Sequence, residues 1–449
     1  MLKFERERTT RPEGLPIFRS EEASTTLFYA PGYLAVVARA RADEFAASLR
    51  EPATDGVASR LLSAATAAEA WRLAKQTGPY RPVCLTLYLH NACQLQCRYC
   101  FADAKPENLR LPSLSIENVK AAARVVAENC KALDVPFTLV AHGGGEPTLA
   151  LGLLERALDV VETIAGEHGL ALFRYVATNG VLTPDRVRWL ARRFDLIGIS
   201  CDGPPEIQDA QRPRAGGGGS AAAVEATARV LHDEGREFDV RVTVTEVSVT
   251  RLPEIAHYVC SVLRPREIHV EPVYSAGRAQ AFEQALEAKR FVDSFVAGKR
   301  IARVFGVPWL SSGSRPADLH GPYCHVFRDV LQLVPGGTVT NCFLDTGVGP
   351  ARASMGSVVG DQVEFKGGCA EEMRTRAEVA ASCRGCFNQF HCVRECPDRC
   401  ALDQNDPAGS FRCEVQRRLT LYKLAGLAGE LSSGLATSAG VVGAAVPRW

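Results

Sequence analysis

The part of the chain that decides the fold is the stretch over residues 84–100, which reads CLTLYLHNACQLQCRYC. Its first six residues are mostly apolar and predict a strand over residues 84–89. Directly after that strand come Cys93, Cys97 and Cys100 in the spacing C-x3-C-x2-C. Three closely spaced thiolates can bind three irons of a [4Fe–4S] cube and leave the fourth iron without a protein ligand. A zinc site completed by His90 or Asp103 is the alternative that the spacing alone leaves open.

Outward from this stretch, apolar runs alternate with segments of helical periodicity. The predicted strands are residues 84–89, 137–141, 172–177, 196–200, 240–245 and 268–273. Six strand-then-helix units in a row predict a parallel βα architecture, either a barrel or an open sheet. Functional residues in such folds gather at the carboxyl ends of the strands.

Polar and glycine-rich segments follow four of these strands in succession. After the cysteine motif come Gly144-Gly145-Glu146-Pro147, Thr178-Asn179-Gly180 and Ser200-Cys201-Asp202-Gly203, with Arg212 shortly afterwards. Each segment alone is a commonplace turn. Their order, one at the end of each successive strand, is what indicates a shared site.

The cysteine motif, with Tyr99 before its last cysteine, resembles the signature of the radical S-adenosylmethionine (SAM) enzymes, and the order of the other motifs agrees. The resemblance covers residues 83–305 and implies an α/β fold, a partial (β/α)6 TIM-like barrel. It implies that Cys93, Cys97 and Cys100 hold a [4Fe–4S] cluster, and that the glycine backbone and Glu146 receive the methionine ammonium of SAM. The implied cofactor-binding residues are Tyr99, Gly144, Gly145, Glu146, Pro147, Thr178, Asn179, Ser200, Asp202 and Arg212.

The implied chemistry is specific. A reduced cluster cleaves SAM to a 5′-deoxyadenosyl radical, which removes a hydrogen atom from an unactivated carbon. The protein contributes orientation and the exclusion of water.

A second group of cysteines lies near the carboxyl terminus. Of the 16 cysteines in the chain, Cys324, Cys342, Cys383, Cys386, Cys392, Cys396 and Cys413 have a spacing that resembles the SPASM auxiliary-cluster domain. By that resemblance Cys383, Cys386, Cys392 and Cys413 ligate an outer [4Fe–4S] cluster, and Cys324, Cys342 and Cys396 an inner one. Cys400, Cys369 or the substrate itself would complete the inner cluster. Without the neighbouring domain, a pair of zinc knuckles is the alternative.

Composition excludes several classes of protein. The 52 Lys and Arg against 51 Asp and Glu give a net charge of +1, which argues against a nucleic-acid scaffold. The charged amino terminus has no apolar signal region, and no run of about 20 apolar residues appears. We therefore expect a cytoplasmic protein with no nucleic-acid or membrane partner.

Four domains are expected. They are an α+β domain over residues 1–80, the radical SAM core over 81–305, a loop-rich SPASM domain over 306–415, and a helix with a loose tail over 416–449. The first domain is either a winged-helix-like element for peptide recognition or a cap that shields the barrel.

Enzymes with a SPASM domain commonly act on peptides, so the resemblance implies a maturase that oxidatively cross-links or modifies side chains of a ribosomal precursor peptide. Flavodoxin or ferredoxin would donate electrons, and Asp345 is the candidate proton acceptor. A sulfatase-maturing enzyme, which makes formylglycine, is the alternative, although Phe343 stands where an aspartate is expected after Cys342. A non-catalytic iron–sulfur electron carrier is the remote alternative.

Overall fold

The computed structural model describes residues 4–6, 14–50, 55–273, 276–279, 287–321, 325–348, 351, 353–376, 383, 385–393, 410–435 and 440–447. The chain forms two compact units. The first unit comprises Met1–Pro79, Ser312–Tyr323 and Arg376–Trp449, and the second comprises Tyr80–Ser311 and Cys324–Thr375.

The first unit begins with antiparallel strands and two helices. These are β1 (Glu5–Arg6), β2 (Phe18–Glu21), β3 (Thr25–Ala30), β4 (Tyr33–Ala38), α1 (Ala42–Ser48) and α2 (Val57–Thr77). A turn joins β3 to β4, and Gly32 there has a φ of +87° that favours glycine. Alternate residues of these two strands enter two separate apolar cores, one on each face of the sheet. Burial on both faces explains why the strands are continuous apolar runs rather than alternating ones.

The second unit contains the predicted series of parallel strands. They are β5 (Cys84–Leu87), β6 (Phe137–Ala141), β7 (Leu172–Thr178), β8 (Leu196–Ser200), β9 (Phe238–Val244) and β10 (Glu267–Pro272). Each strand pairs in parallel with the next in sequence, and the two-residue β11 (Trp309–Leu310) extends the edge beyond β10. The six predicted strands are therefore confirmed, with ends that differ by at most two residues.

Helices connect these strands on one face of the sheet. They are α3 (Ile116–Leu133), α4 (Leu151–Glu167), α5 (Pro184–Arg193), α6 (Pro205–Gln211), α7 (Ala221–Asp233), α8 (Leu252–Tyr258) and α9 (Ala288–Val304). Strand residues such as Leu139, Ile197 and Val240 are fully buried. The alternate positions carry polar side chains such as Tyr175, Arg241 and Glu271, which lie on the opposite face because side chains alternate along a strand.

Residues 306–415 combine loops with short regular elements. After the short α10 (His325–Arg328), β12 (Val330–Leu333) pairs in parallel with β5 and continues the barrel sheet at its other edge. An antiparallel ribbon of β13 (Thr338–Thr340), β14 (Ser354–Val359) and β15 (Gln362–Phe365) follows, and then α11 (Cys369–Arg376). Cysteines from residue 383 onward belong to the first unit, so the expected domain is divided between the two units.

The carboxyl-terminal segment is not a loose tail. After α12 (Phe411–Ser432), β16 (Val441–Ala445) pairs with β4, which gives the first unit the sheet order β1-β2-β3-β4-β16. The described residues of the first unit thus form a five-stranded antiparallel sheet, with four of its strands before the first helix. No helix among the described residues is long and apolar enough to span a membrane.

Candidate cluster and cofactor site

The loop with Cys93, Cys97 and Cys100 follows β5 and is held by backbone hydrogen bonds to two distant segments. The amides of Gln96 and Arg98 donate to the carbonyls of Pro213 and Gln211 at 2.8 and 3.0 Å. On another side, the amide of Arg278 donates to the carbonyl of Cys100 at 3.1 Å. These contacts fix the path of the loop. Sequence analysis singled out Arg212 in the first of these segments and missed the second, because no recognisable motif surrounds Arg278.

The glycines after β6 let their own backbone lie directly against the cysteine loop. The amides of Gly145 and Glu146 donate to the carbonyls of His90 and Ala92 at 2.9 and 2.8 Å. A Cβ atom at Gly144 would lie 2.7 Å from the His90 oxygen, and one at Gly145 would lie 1.9 Å from the Ala92 oxygen. Glycine is therefore required at both positions by close backbone approach.

Glu146 does not present a free carboxylate to a ligand. Its Oε1 accepts from the hydroxyls of Thr148 and Thr178 at 2.7 and 2.9 Å, and its Oε2 accepts from the Asn179 amide at 2.8 Å. Glu146 also caps the short 3₁₀ turn that begins at Pro147. The side chain therefore joins the segment after β6 to the end of β7. Burial raises the pKa of Glu146, and these donors oppose that shift.

A buried ion pair anchors the end of β8. The Nε and Nη2 atoms of Arg212 donate to the two oxygens of Asp202 at 3.0 and 3.1 Å, and Asp202 is fully buried. The hydroxyl of Tyr99 also donates to Asp202, and the Arg212 guanidinium lies 5.2 Å from the centre of the Tyr99 ring. Ser200 lies beside Arg241 in the strand register. The structure thus brings Tyr99, Ser200, Asp202 and Arg212 to one end of the sheet. The Nε and Nη2 atoms of the Arg212 guanidinium are already hydrogen-bonded within the protein.

The residues present fit a metal cluster and an attached polar cofactor. Three thiols share one enclosed loop, and burial, followed by Glu146, raises the pKa of Cys93 to about 12. Thiolates in such surroundings need a cationic group to stabilise them, which a bound iron cluster supplies. Beside the loop, His90 Nε2 and Asn91 Oδ1 are buried and have no hydrogen-bond partner among the described residues. Cys93, Cys97 and Cys100 are therefore suited to hold a [4Fe–4S] cluster.

All four cysteines that are expected to ligate the outer auxiliary cluster lie in the first unit. Cys383, Cys386 and Cys392 come from a loop that packs on the first turns of α12, which contains Cys413. The Val393 amide donates to Gln416, one turn after Cys413, at 3.0 Å. Cys324, Cys396 and Cys400 lie outside the described residues, so the expected inner cluster is represented by Cys342 alone.

The turn that follows Cys342 contacts the end of β5 and the cysteine loop within the second unit. The Tyr88 hydroxyl donates to the Phe343 carbonyl, and the side-chain Nδ2 of Asn91 donates to the Thr346 carbonyl, each at 2.7 Å. The rings of Phe343 and Phe101 are in edge-to-face contact, with centroids 6.0 Å apart. Cys342, which is expected to ligate an auxiliary cluster, is therefore followed by a turn that contacts the expected SAM site.

Two other sequence-based candidates lie elsewhere or are engaged differently. Cys369 is the first residue of α11, and its thiol donates to the Met355 carbonyl of β14 at 3.5 Å. The carboxylate of Asp345 accepts from the Thr340 hydroxyl and the Ala353 amide, which is a structural arrangement inside the turn.

One further group with the composition of a metal site lies at the opposite end of the barrel. Ligand atoms of Asp239, Glu267 and His269 lie within 4.8 Å of one another at the start of β9 and β10. Arg266 donates to both oxygens of Asp239 at 2.9 and 2.8 Å, and His269 lies 2.8 Å from Glu267. The group is therefore an internally satisfied charge network.

Comparisons with known proteins agree with this site. The model of the radical SAM superfamily matches residues 87–259. The chain is 27% identical over 170 residues to the cysteine-type anaerobic sulfatase-maturating enzyme of Clostridium perfringens, which covers 37% of this chain and 45% of that protein. It is 29% identical over 192 residues to the serine-type enzyme of Klebsiella aerogenes, covering 42% and 46%. The mycofactocin maturase MftC of Mycolicibacterium smegmatis is 30% identical over 178 residues, covering 39% and 41%. The chain thus spans less than half the length of these relatives.

Solved structures share the fold. Native anSMEcpe with bound AdoMet has a TM-score of 0.60 at 17% sequence identity, over 77% of this chain and 99% of that one. Streptococcus suis SuiB bound to precursor peptide SuiA has a TM-score of 0.51 at 14% identity, over 77% and 78%. From the family match, together with the enclosed cysteine loop and the glycine contacts beside it, residues 87–259 are a domain of the radical SAM superfamily.

Proposed function

We propose that the protein is a radical SAM maturase that oxidatively cross-links or otherwise modifies side chains of a precursor peptide. The observation that carries the proposal is the contact between the Cys342 turn and the SAM-cluster loop through Phe343 and Phe101. An auxiliary cluster held at Cys342 would lie next to the site of hydrogen abstraction. It would then be available to accept the electron that a net oxidation leaves behind.

The relatives support a peptide substrate. The sulfatase-maturating enzymes and the mycofactocin maturase modify proteins or peptides by name, and structures of anSMEcpe and SuiB contain peptides. The full proposal includes three [4Fe–4S] clusters, one that binds SAM and two auxiliary clusters. Cys383, Cys386, Cys392 and Cys413 would hold the outer one.

In this mechanism the SAM cluster and SAM supply the radical chemistry that removes a hydrogen atom from an unactivated carbon. The chain's own residues prepare the site. Gly144 and Gly145 would present backbone groups to the cofactor, and Arg212, oriented by Asp202, would offer its Nη1 side to an anionic group. The Phe101 and Phe343 rings, which are in edge-to-face contact, would limit access of water between the two cysteine segments.

Sulfatase maturation remains the second candidate because the sulfatase-maturating enzymes are among the matched relatives. Two features disfavour it. Phe343 replaces the aspartate expected after Cys342, and its ring packs on Phe101. Asp345, the next carboxylate, is used by Thr340 and Ala353.

The test is anaerobic reconstitution of the full chain, followed by reduction and addition of SAM. We expect 5′-deoxyadenosine by mass spectrometry, and an electron carrier without a SAM site would form none. The triple variant Cys93→Ala, Cys97→Ala, Cys100→Ala should lose about four irons and all SAM cleavage while it retains auxiliary iron. Retained cleavage in that variant would refute the assignment.

The substrate is tested with two sets of peptides. One set is made from short open reading frames that neighbour the gene, and the other is a sulfatase-derived peptide in Cys and Ser forms. Loss of hydrogen from a precursor peptide, with a new bond located by tandem mass spectrometry, supports the proposal. An aldehyde formed only on the sulfatase peptide would favour the second candidate.

A further inference from the structure

The side chain of Asn179 is used entirely inside the protein, and one of its contacts is to a cluster cysteine. Its Nδ2 lies 3.6 Å from the Cys93 sulfur and 3.2 Å from Gln94 Oε1. Its Oδ1 accepts from the Val181 amide at 2.9 Å and from Gln94 Nε2 at 3.4 Å. These contacts occupy both amide hydrogens and both oxygen lone pairs, so none remains for a ribose hydroxyl, the contact that the sequence resemblance implies.

The orientation of this amide follows from its neighbours. The Val181 backbone N–H can only donate, so it must face Oδ1, and Nδ2 must then face Cys93 and Gln94. Gln94 is fixed in the same way, because its Nε2 donates to the Val181 carbonyl at 3.0 Å. The backbone of Asn179 is in turn held by Glu146. The donor beside Cys93 is thus held rigidly.

Cys93 differs in this respect from the other two cysteines of the motif. Its sulfur also accepts from the Leu95 amide at 3.4 Å, which gives it two N–H donors. In the part of the chain that the structure describes, neither the Cys97 nor the Cys100 sulfur has such a contact. The N–H groups therefore converge on one corner of the three-cysteine site.

We infer that Asn179 positions Cys93 and raises the reduction potential of the SAM-binding cluster by donating a hydrogen bond to the Cys93 thiolate. Reduction adds negative charge that is shared with the cysteine sulfurs. An N–H dipole directed at one sulfur stabilises this charge, and hydrogen bonds to sulfur are one of the main determinants of cluster potential. The inference rests on the radical SAM domain and is independent of which peptide the enzyme modifies.

The test compares the midpoint potential of this cluster among variants of the reconstituted full chain. Asn179→Leu removes the donor at similar volume, and Asn179→Asp replaces it with an acceptor. Both should shift the potential to more negative values, with the larger shift in Asn179→Asp. Gln94→Leu should give a smaller shift, because the donor remains but loses its support. Thr227→Val is the matched control, since Thr227 bonds to Gly180 in the same turn and the structure gives it no contact with Cys93.

The potential is followed by electron paramagnetic resonance without SAM, at matched iron content. Adding SAM to a separate sample identifies the SAM-binding cluster by its changed signal. Unchanged potentials in both Asn179 variants would overturn the inference, and weaker SAM binding with an unchanged potential would assign Asn179 to cofactor binding. Loss of this cluster from a natively folded Asn179 variant, with normal loading in Thr227→Val, would support the positioning role. Peptide modification is not measured, so the outcome is separate from that of the proposed function.

Discussion

A single methyl group at residue 145 would meet a backbone oxygen at less than van der Waals distance. The added Cβ would lie 1.9 Å from the Ala92 carbonyl oxygen, which neighbours Cys93. Because both partners are backbone atoms, the loop itself would have to move. We therefore expect Gly145→Ala to destabilise the protein by about 1 to 3 kcal/mol or more and to reduce iron at the SAM cluster. Urea denaturation and iron analysis measure the two effects.

Gly166→Ala is the control for Gly145→Ala. Gly166 lies in α4, and a Cβ there would have no atom within 4 Å. Alanine should stabilise the helix by about 0.5 to 1 kcal/mol and leave iron content unchanged. Equal iron content in the two variants would contradict the close backbone approach.

The second prediction at the residue scale concerns His142, which follows β6 and has its ring 6.5 Å from that of Tyr88. Burial, followed by Arg241, lowers the pKa of His142 to about 4. The unfolded chain, with a histidine pKa of about 6.5, therefore binds more protons between these two values. Stability should fall as pH is lowered through that window.

The measurement is urea denaturation of the apoprotein at pH 7 and pH 5. Between pH 7 and pH 5 the free energy of unfolding should fall in the wild type, and in His142→Gln this fall should be smaller by about 1 to 2 kcal/mol. His257→Gln is the control for the substitution itself, because His257 is an exposed histidine. An identical pH dependence in wild type and His142→Gln would contradict the low pKa.

At the scale of elements, β16 completes the sheet of the first unit. It pairs with β4 from Tyr33 to Val37, and the Val446 amide donates to the Gly32 carbonyl at 2.9 Å. Gly443 allows close packing, because a Cβ there would lie 2.8 Å from the Tyr33 hydroxyl and from Val57. The strand is therefore a structural part of the core.

Deleting residues 441–449 should lower the thermal unfolding midpoint of the protein and speed proteolysis of its amino-terminal strands, because β4 would become an unpaired edge. Differential scanning fluorimetry and limited proteolysis measure this. Removing only residues 448–449 is the control and should have no effect. If the long deletion behaves like the short one, the segment is a loose tail after all.

At the scale of the whole molecule, β5 is the first parallel strand along the chain but does not form the edge of the barrel sheet. β12 comes about 240 residues after β5 and pairs with it over residues 330–333. A fragment of residues 80–311 lacks β12 and exposes the backbone edge of β5. We expect it to aggregate, whereas residues 80–375 should remain monomeric by size-exclusion chromatography. A monomeric shorter fragment would show that β12 is dispensable for the sheet.

The sequence by itself determined the parallel strands and the residues at their ends. Apolar residues at alternate or successive positions identified the six strands to within two residues, because one face of the sheet is buried while polar side chains lie on the other. The spacing of Cys93, Cys97 and Cys100 predicted a cysteine loop directly after the first parallel strand, and the structure contains that loop after β5. Local signals of this kind need no knowledge of the rest of the chain.

Only the tertiary structure decided which distant segments pair with the predicted strands and contact the residues at their ends. Only the first two residues of β16, Val441 and Val442, favour a strand, and Gly443, Ala444 and Ala445 do not, yet β4 supplies hydrogen-bond partners to the whole strand. The hydrogen-bond partners of the Glu146 and Asn179 side chains come from other loops of the second unit. Such contacts depend on the path of the chain in space, so a single sequence carries no local pattern for them.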